Sequence, residues 1–179
     1  MEITKTDKNN FFIVTKSINA ALEHMAPKAD VVMFSAPQKD KVNKVDGVVV
    51  FDSAGEYEVK NCMIDAIAIV SGVTAYSILS EGIRLAYLPS ADEVLTDAQI
   101  EAFASVDILL IPISGEKASS TIKIIGQIEP KVVVPHSYSQ EELKMLIGEL
   151  GQEQEKTAKL KVAKKELVET EQQRLVVVE

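Results

Sequence analysis

"IRLAYLPSADEVLTDAQIEAFASVDILLIPI", residues 83–113, is the stretch in which this chain changes its folding grammar. It opens with an apolar β-run, Ile83 to Leu88, which Pro89 and Ser90 interrupt. Thr96 or Asp97 can then cap a helix over "DAQIEAFASV" (97–106), and a second apolar strand, "DILLIPI" (107–113), follows at once. Upstream, the chain is mostly short β-branched runs: "FFIVT" (11–15), "DVVMFS" (30–35), "GVVVFD" (47–52), "CMIDAIAIV" (62–70) and "TAYSILS" (74–80). Turn residues separate most of them, the pattern of an antiparallel meander. Downstream, helix and strand alternate. A helix over "SSTIKIIGQI" (119–128) leads to the strand "KVVVPHS" (131–137). A third helix, "SQEELKMLIGEL" (139–150), opens with Ser139 and Glu142 in capping-box spacing and stops at Gly151. Strands first and helices later imply packed β layers with helices outside.

Composition narrows the function classes. The chain has 179 residues, 46% hydrophobic and 26% charged, enough to bury the core of one ordinary domain. Its formal charge of -8 disfavours a phosphate backbone or an anionic membrane, so neither nucleic acid nor membrane is expected as a partner. "MEITKTDKNNFF" lacks the apolar centre of a signal peptide and no stretch approaches a membrane span, so a soluble, cytoplasmic protein is expected. One cysteine, Cys62, excludes an intramolecular disulfide and a cysteine-based zinc cluster. With two histidines, His24 and His136, any metal site would rest mainly on carboxylates.

The carboxyl end, residues 152–179, is highly charged yet contains "KLKVAKK" with period-two alternation and closes on "RLVVVE". It reads either as a disordered tail or, as expected here, as a strand pair docked on the domain formed by residues 1–151.

Four segments together carry a family resemblance: "ADVVMFSAPQKDK", "SAGEYEVKNCMI", residues 81–115 and "QIEPKVVVPHSY". They resemble the short metallo-β-lactamase-fold hydrolases of the lactonase-like branch, which use zinc or another divalent metal. The likeness runs in order from Met1 to about Gly151. It implies a four-layer αββα sandwich, two mixed β-sheets face to face with helices outside, and a metal site at one edge. The loops around that site are expected to be shortened here. The connection after "MIDAIAI", which usually supplies another histidine, is reduced to Ser71 and Gly72.

In such hydrolases the strand similar to "ADVVMFS" is followed by an H-x-H-x-D-H loop that holds one or two metal ions and activates water. In this sequence the loop reads Ala36, Pro37, Gln38, Lys39, Asp40, Lys41. Only Asp40 keeps the ligand type. Ala36 and a charged Lys41 have no lone pair to offer a cation, and Gln38 brings an amide. The family's H-L-G-D lies over Tyr87, Leu88, Pro89 and Ser90, so a bridging carboxylate becomes a hydroxyl. The late P-x-H-Y histidine falls on Ser137. His136 sits one place away, and strand alternation would turn it away from the site. The family's G-H-S turn lies over Asp7, Lys8 and Asn9.

The ordinary readings of these residues are a salt bridge for Asp40 and Lys41, a helix-end histidine for His24, and a small core residue for Cys62. Ser35, Ser90 and Ser137 have no spaced His and Asp around them to make a nucleophile. The former-site cleft is therefore assigned to Lys8, Ala36, Gln38, Asp40, Lys41, Ser90 and Ser137, small or filled, with no catalytic residue and no metal cofactor. The favoured reading is a pseudoenzyme: a member of the family without metal or hydrolysis, acting on an unknown protein partner or by self-association as a binding, scaffolding or regulatory module. Two alternatives stand beside it: a divergent metal-dependent hydrolase using Asp40, Asp92 and His136, and a metal-free binder of a small anion that uses Lys8, Gln38, Lys41, Ser90 and Ser137.

Overall fold

Strand-forming runs and hairpin turns dominate the first half of the chain in the computed structural model, which describes residues 1–38, 45–70, 72–113, 118–169 and 172–179, without the side chain of Ala118. Five strands, β1 (Glu2–Lys5), β2 (Phe11–Val14), β3 (Asn19–Leu22), β4 (Val31–Met33) and β5 (Val49–Phe51), open one sheet. The second sheet begins with β6 (Gly55–Val59), β7 (Cys62–Val70), β8 (Val73–Ser80) and β9 (Ile83–Tyr87). The remainder is α1 (Asp97–Phe103), β10 (Ile108–Pro112), α2 (Ala118–Ile128), β11 (Val132–His136), α3 (Gln140–Leu150), β12 (Gln154–Thr157), β13 (Leu160–Lys161), α4 (Lys164–Glu169) and β14 (Arg174–Val178). The sheets are ordered β13-β1-β2-β3-β4-β5 and β12-β14-β11-β10-β9-β8-β7-β6, and both are mixed.

Alternation along each strand builds the layers. Ile13, Leu22, Val31 and Met33 of one sheet meet Ile64, Tyr76, Ile78, Leu85, Leu110 and Val134 of the other in a fully buried inner core. Burial of each such Leu or Ile side chain contributes about 1.5–3 kcal/mol. The opposite face of the eight-stranded sheet, with Ala86, Leu109, Ile111 and Val133, is covered by α1, α2 and α3 through Phe103, Ile124, Ile125, Leu143 and Leu146. The outer face of the six-stranded sheet, with Ala21 and Val32, is closed by Met25, Ala26, Ala29 and Val48 from irregular segments.

Local signals act as the sequence suggests. Thr96 accepts from the Gln99 amide and Ser139 from the Glu142 amide, each within a complete capping box, and Gly151 ends α3 at φ 61°. Helix α1 stops at Phe103, short of the expected Val106, because Ala104 leaves helical geometry (φ 53°, ψ -150°) and Val106 joins the core. The hairpin turns Lys60-Asn61 and Glu81-Gly82 have φ positive at both residues, the twist that matches paired strands.

The expected antiparallel meander is corrected in the first sheet: β3 pairs with β4, and β4 with β5, in parallel. Eight residues separate β3 from β4 and fifteen separate β4 from β5, more than the tight turns of hairpins use. After Gly151, the expected strand pair divides instead. β13 extends the first sheet beside β1, while β14 enters the second sheet between β11 and β12. Apolar Leu175 to Val178 on β14 are all buried, which explains why so charged a segment is held in the sandwich. His24 follows β3 rather than a helix, and its Nδ1 lies 2.9 Å from the Leu22 carbonyl oxygen. Among the described residues no helix is long and apolar enough to cross a membrane.

Candidate functional site

Because β9, β10 and β11 run parallel, their carboxyl ends, Tyr87, Pro112 and His136, reach the same edge of the sandwich. This is the edge at which open sheets place binding sites. Here three rings pack together beneath it. His136 is 0% exposed; its imidazole stacks on Tyr87 (centroids 5.4 Å, 23° between planes) and meets Phe11 edge-on at 5.6 Å. Its Nε2 lies 3.0 Å from the Leu88 carbonyl oxygen and its Nδ1 3.1 Å from Ser137 Oγ. A carbonyl only accepts, so Nε2 carries the proton, and Nδ1 takes the Ser137 hydroxyl proton. Burial holds the imidazole neutral, with its pKa pushed down to about 3.

Two tyrosines complete the plug. Tyr76 on β8 donates to the Phe34 carbonyl at 2.7 Å and the Phe51 carbonyl at 3.1 Å, tying the ends of β4 and β5 to the opposite sheet. Burial raises the phenol pKa of both Tyr76 and Tyr87 far above the ordinary range. The Tyr87 hydroxyl faces Glu23 and Asn9 but completes no hydrogen bond of ordinary geometry with either. Glu23 leaves β3 in left-handed backbone (φ 63°), and its Oε1 accepts from the Ser35 amide at 2.9 Å. Partial burial raises its carboxyl pKa despite that bond.

The residues expected to form one cleft fall into several neighbourhoods. Lys8 and Ser137 come together: the Ser137 amide donates to the Lys8 carbonyl at 3.3 Å, and both line a groove of about 370 Å³ with Lys5, Tyr138, Ser139 and Glu142. Ser90 and Asp92 lie together beside α1, the Ser90 hydroxyl accepting from the Asp92 amide at 3.3 Å. Ala36 is exposed, and the Gln38 side-chain amide turns back to the Ala36 carbonyl at 3.0 Å while its backbone amide donates to Asp52. Asp40 and Lys41, with Lys39, lie outside the described residues, as does Ser71; the β7–β8 connection is two residues long.

His136 and Ser137 face opposite ways. His136 shares the inward face of β11 with Val132 and Val134, whereas Ser137, at φ 51°, is turned out and exposed. Strand geometry ends at His136. Sequence reasoning missed Glu23, Lys5, Tyr76 and Tyr138 as site-edge residues. Tyr76 carried a signal, as one of only four tyrosines and set in the middle of a strand-forming run.

The donor chemistry does not suit a divalent ion. Both His136 nitrogens are engaged in hydrogen bonds, one buried and one at the edge, one Glu23 oxygen caps Ser35, and the Ala36 side chain offers no lone pair. Asp92 is exposed while His136 is fully buried. No group of three or more His, Cys, Asp or Glu that could hold a metal ion occurs among the described residues.

The fold and this edge define a metallo-β-lactamase-type sandwich. The sequence matches the family described as the beta-lactamase superfamily domain over residues 5–137, and the chain belongs to that family. No curated protein matches it in sequence. Among solved structures, it is similar to a protein from Thermotoga maritima assigned as a Zn-dependent hydrolase of the metallo-beta-lactamase superfamily. That likeness has 22% identity, covers 99% of this chain and 97% of the other, and has a TM-score of 0.84. The metallo-beta-lactamase fold protein YhfI from Bacillus subtilis shares 9% identity over 99% of this chain and 96% of its own, with a TM-score of 0.63. Igni18, a metallo hydrolase from Ignicoccus hospitalis, shares 13% identity over 83% and 91%, with a TM-score of 0.59. At these identities the likeness concerns the fold.

Proposed function

We propose that this chain is a member of the family without metal-dependent hydrolysis, whose sandwich edge has become a packed plug and whose role is binding, scaffolding or regulation. The observation that carries the reading is His136. A catalytic imidazole must present a lone pair or a titratable proton to substrate or metal. Here one nitrogen donates a hydrogen bond to the Leu88 carbonyl, the other accepts one from the Ser137 hydroxyl, and the ring stacks on Tyr87 with Phe11 edge-on to it. The loop replacements at Ala36, Gln38 and Lys41 act in the same direction, because none supplies the imidazole that the family motif requires. Such a module would act through a protein partner or a second copy of the chain in the cytoplasm.

The test is elemental analysis of protein purified without added metal, followed by hydrolysis of generic lactone and phosphodiester substrates with zinc or manganese. Wild type is compared with Asp40→Ala. Substoichiometric metal and no turnover are expected. Stoichiometric metal, or metal-dependent turnover lost in Asp40→Ala, would overturn the proposal.

A further inference from the structure

Beside the plug lies a groove whose chemistry runs against that of the whole molecule. The protein carries a formal charge of -8, yet Lys5 and Lys8 both line this groove of about 370 Å³, together with Ser137, Tyr138, Ser139 and Glu142. Lys5 is half-buried at the end of β1. Its ammonium sits over the Tyr138 ring at 5.2 Å from the centroid and makes no ion pair with a carboxylate among the described residues. Burial lowers its pKa, while Glu179 and Asp7 act on it only at longer range. A partly desolvated cation without a contacting counter-ion is costly, and long lysines at protein edges are ordinarily paired or left in water. Lys8 reaches the same groove from the β1–β2 turn, whose carbonyl is already bound to the Ser137 amide. Glu142 is the acidic residue of the wall, and one of its oxygens, Oε2, accepts from the Ser139 amide at 2.6 Å.

We propose that this groove binds a small dianionic oxyanion of the phosphate-monoester class, with the ammonium groups of Lys5 and Lys8 as its two positive contacts. Two lysines lining one groove supply as many positive charges as such a group carries negative ones at neutral pH, and the groove can take a ligand larger than the phosphate itself. Tyr138 restrains Lys5 on the wall, which reduces the rotamer freedom lost on binding. The site needs no cation, and to that extent it rests on the function proposed above.

The test is an NMR titration of the ¹⁵N-labelled full chain with inorganic phosphate at constant ionic strength, since screening alone alters lysine-rich surfaces. Saturable shifts at the amides of Ser137, Tyr138 and Ser139 are expected. Lys8→Gln and Lys5→Gln should each raise Kd roughly tenfold, the usual scale for removing one charge-assisted contact. Lys165→Gln, the same charge change on exposed α4, should leave it unchanged. Because Lys8 is exposed, its variant tests the site even if Lys5→Gln impairs folding. Non-saturating shifts, or a Kd the same in Lys8→Gln as in wild type, overturn the proposal. Repeating the titration after chelation separates the two readings. Binding present before chelation and lost after it places the anion on a metal ion and overturns both. Binding absent from folded protein both before and after chelation overturns this one alone.

Discussion

Replacing His136 by Ala should unfold the plug from its centre. The imidazole is the hydrogen-bond donor to the Leu88 carbonyl, whose removal leaves a buried acceptor at a cost of about 1–3 kcal/mol. Its contacts with Tyr87 and Phe11 contribute about 0.5–1.5 kcal/mol each beyond area, and the site lies among rigid strands that cannot collapse fully into the space. Because these effects overlap, the expected net loss is about 3–5 kcal/mol, the range of other ring-to-alanine changes in cores. For a domain of this size that lowers Tm by roughly 6–20 °C. The chain has no tryptophan, so urea unfolding is best followed by far-UV circular dichroism, with equal m values as the check that only stability has changed. A loss below about 1 kcal/mol would refute the reasoning, because it is the size expected of an exposed, loosely held side chain.

Three further outcomes follow from the same geometry. Folded His136 titrates near 3 and unfolded histidine near 6.5, so across that window the unfolded chain binds more protons and stability falls as pH drops. His136 adds up to about 1.4 kcal/mol per pH unit to that slope. Urea unfolding at several pH values should show a steeper fall in wild type than in His136→Phe, where the lowered carboxyl pKa values of Glu2, Asp30, Glu81 and Glu155 still contribute. Glu23 opposes this, since its raised carboxyl pKa stabilises the fold on acidification, and the difference between the two proteins removes its contribution. Tyr76→Phe deletes the donor shared by the Phe34 and Phe51 carbonyls; a loss of about 1–3 kcal/mol is expected, with faster amide exchange at the ends of β4 and β5. Gly151→Ala should cost about 1 kcal/mol through its left-handed backbone alone, because an added Cβ would meet nothing within 4 Å; a change nearer 3 kcal/mol would point to an unrecognised contact.

Much of the architecture was legible because its causes are local. The capping boxes at Thr96 and Ser139 and the glycine stop at residue 151 each depend on a few consecutive residues, and they occur where the pattern places them. The apolar runs 62–70, 74–80 and 83–88 became β7, β8 and β9 with small boundary changes. Strand β3 was less legible, since "NAAL" is short and lacks β-branched residues, and β1 is interrupted by threonine and lysine.

What the sequence determined by itself was the family, the sandwich and the residue types, Ala36, Gln38 and Lys41, that follow the strand run 30–35. Each is a statement about residue identity or short-range order. Tertiary structure alone decided which runs pair in parallel, that the terminal strands divide between two sheets, and that His136 rather than Ser137 faces inward. It also decided that Lys8 and Ser137 share a groove while Ser90 and Asp92 sit beside α1. These depend on contacts between residues far apart in the chain, and a displacement of one residue in a strand reverses the face of every side chain; no local pattern carries that information.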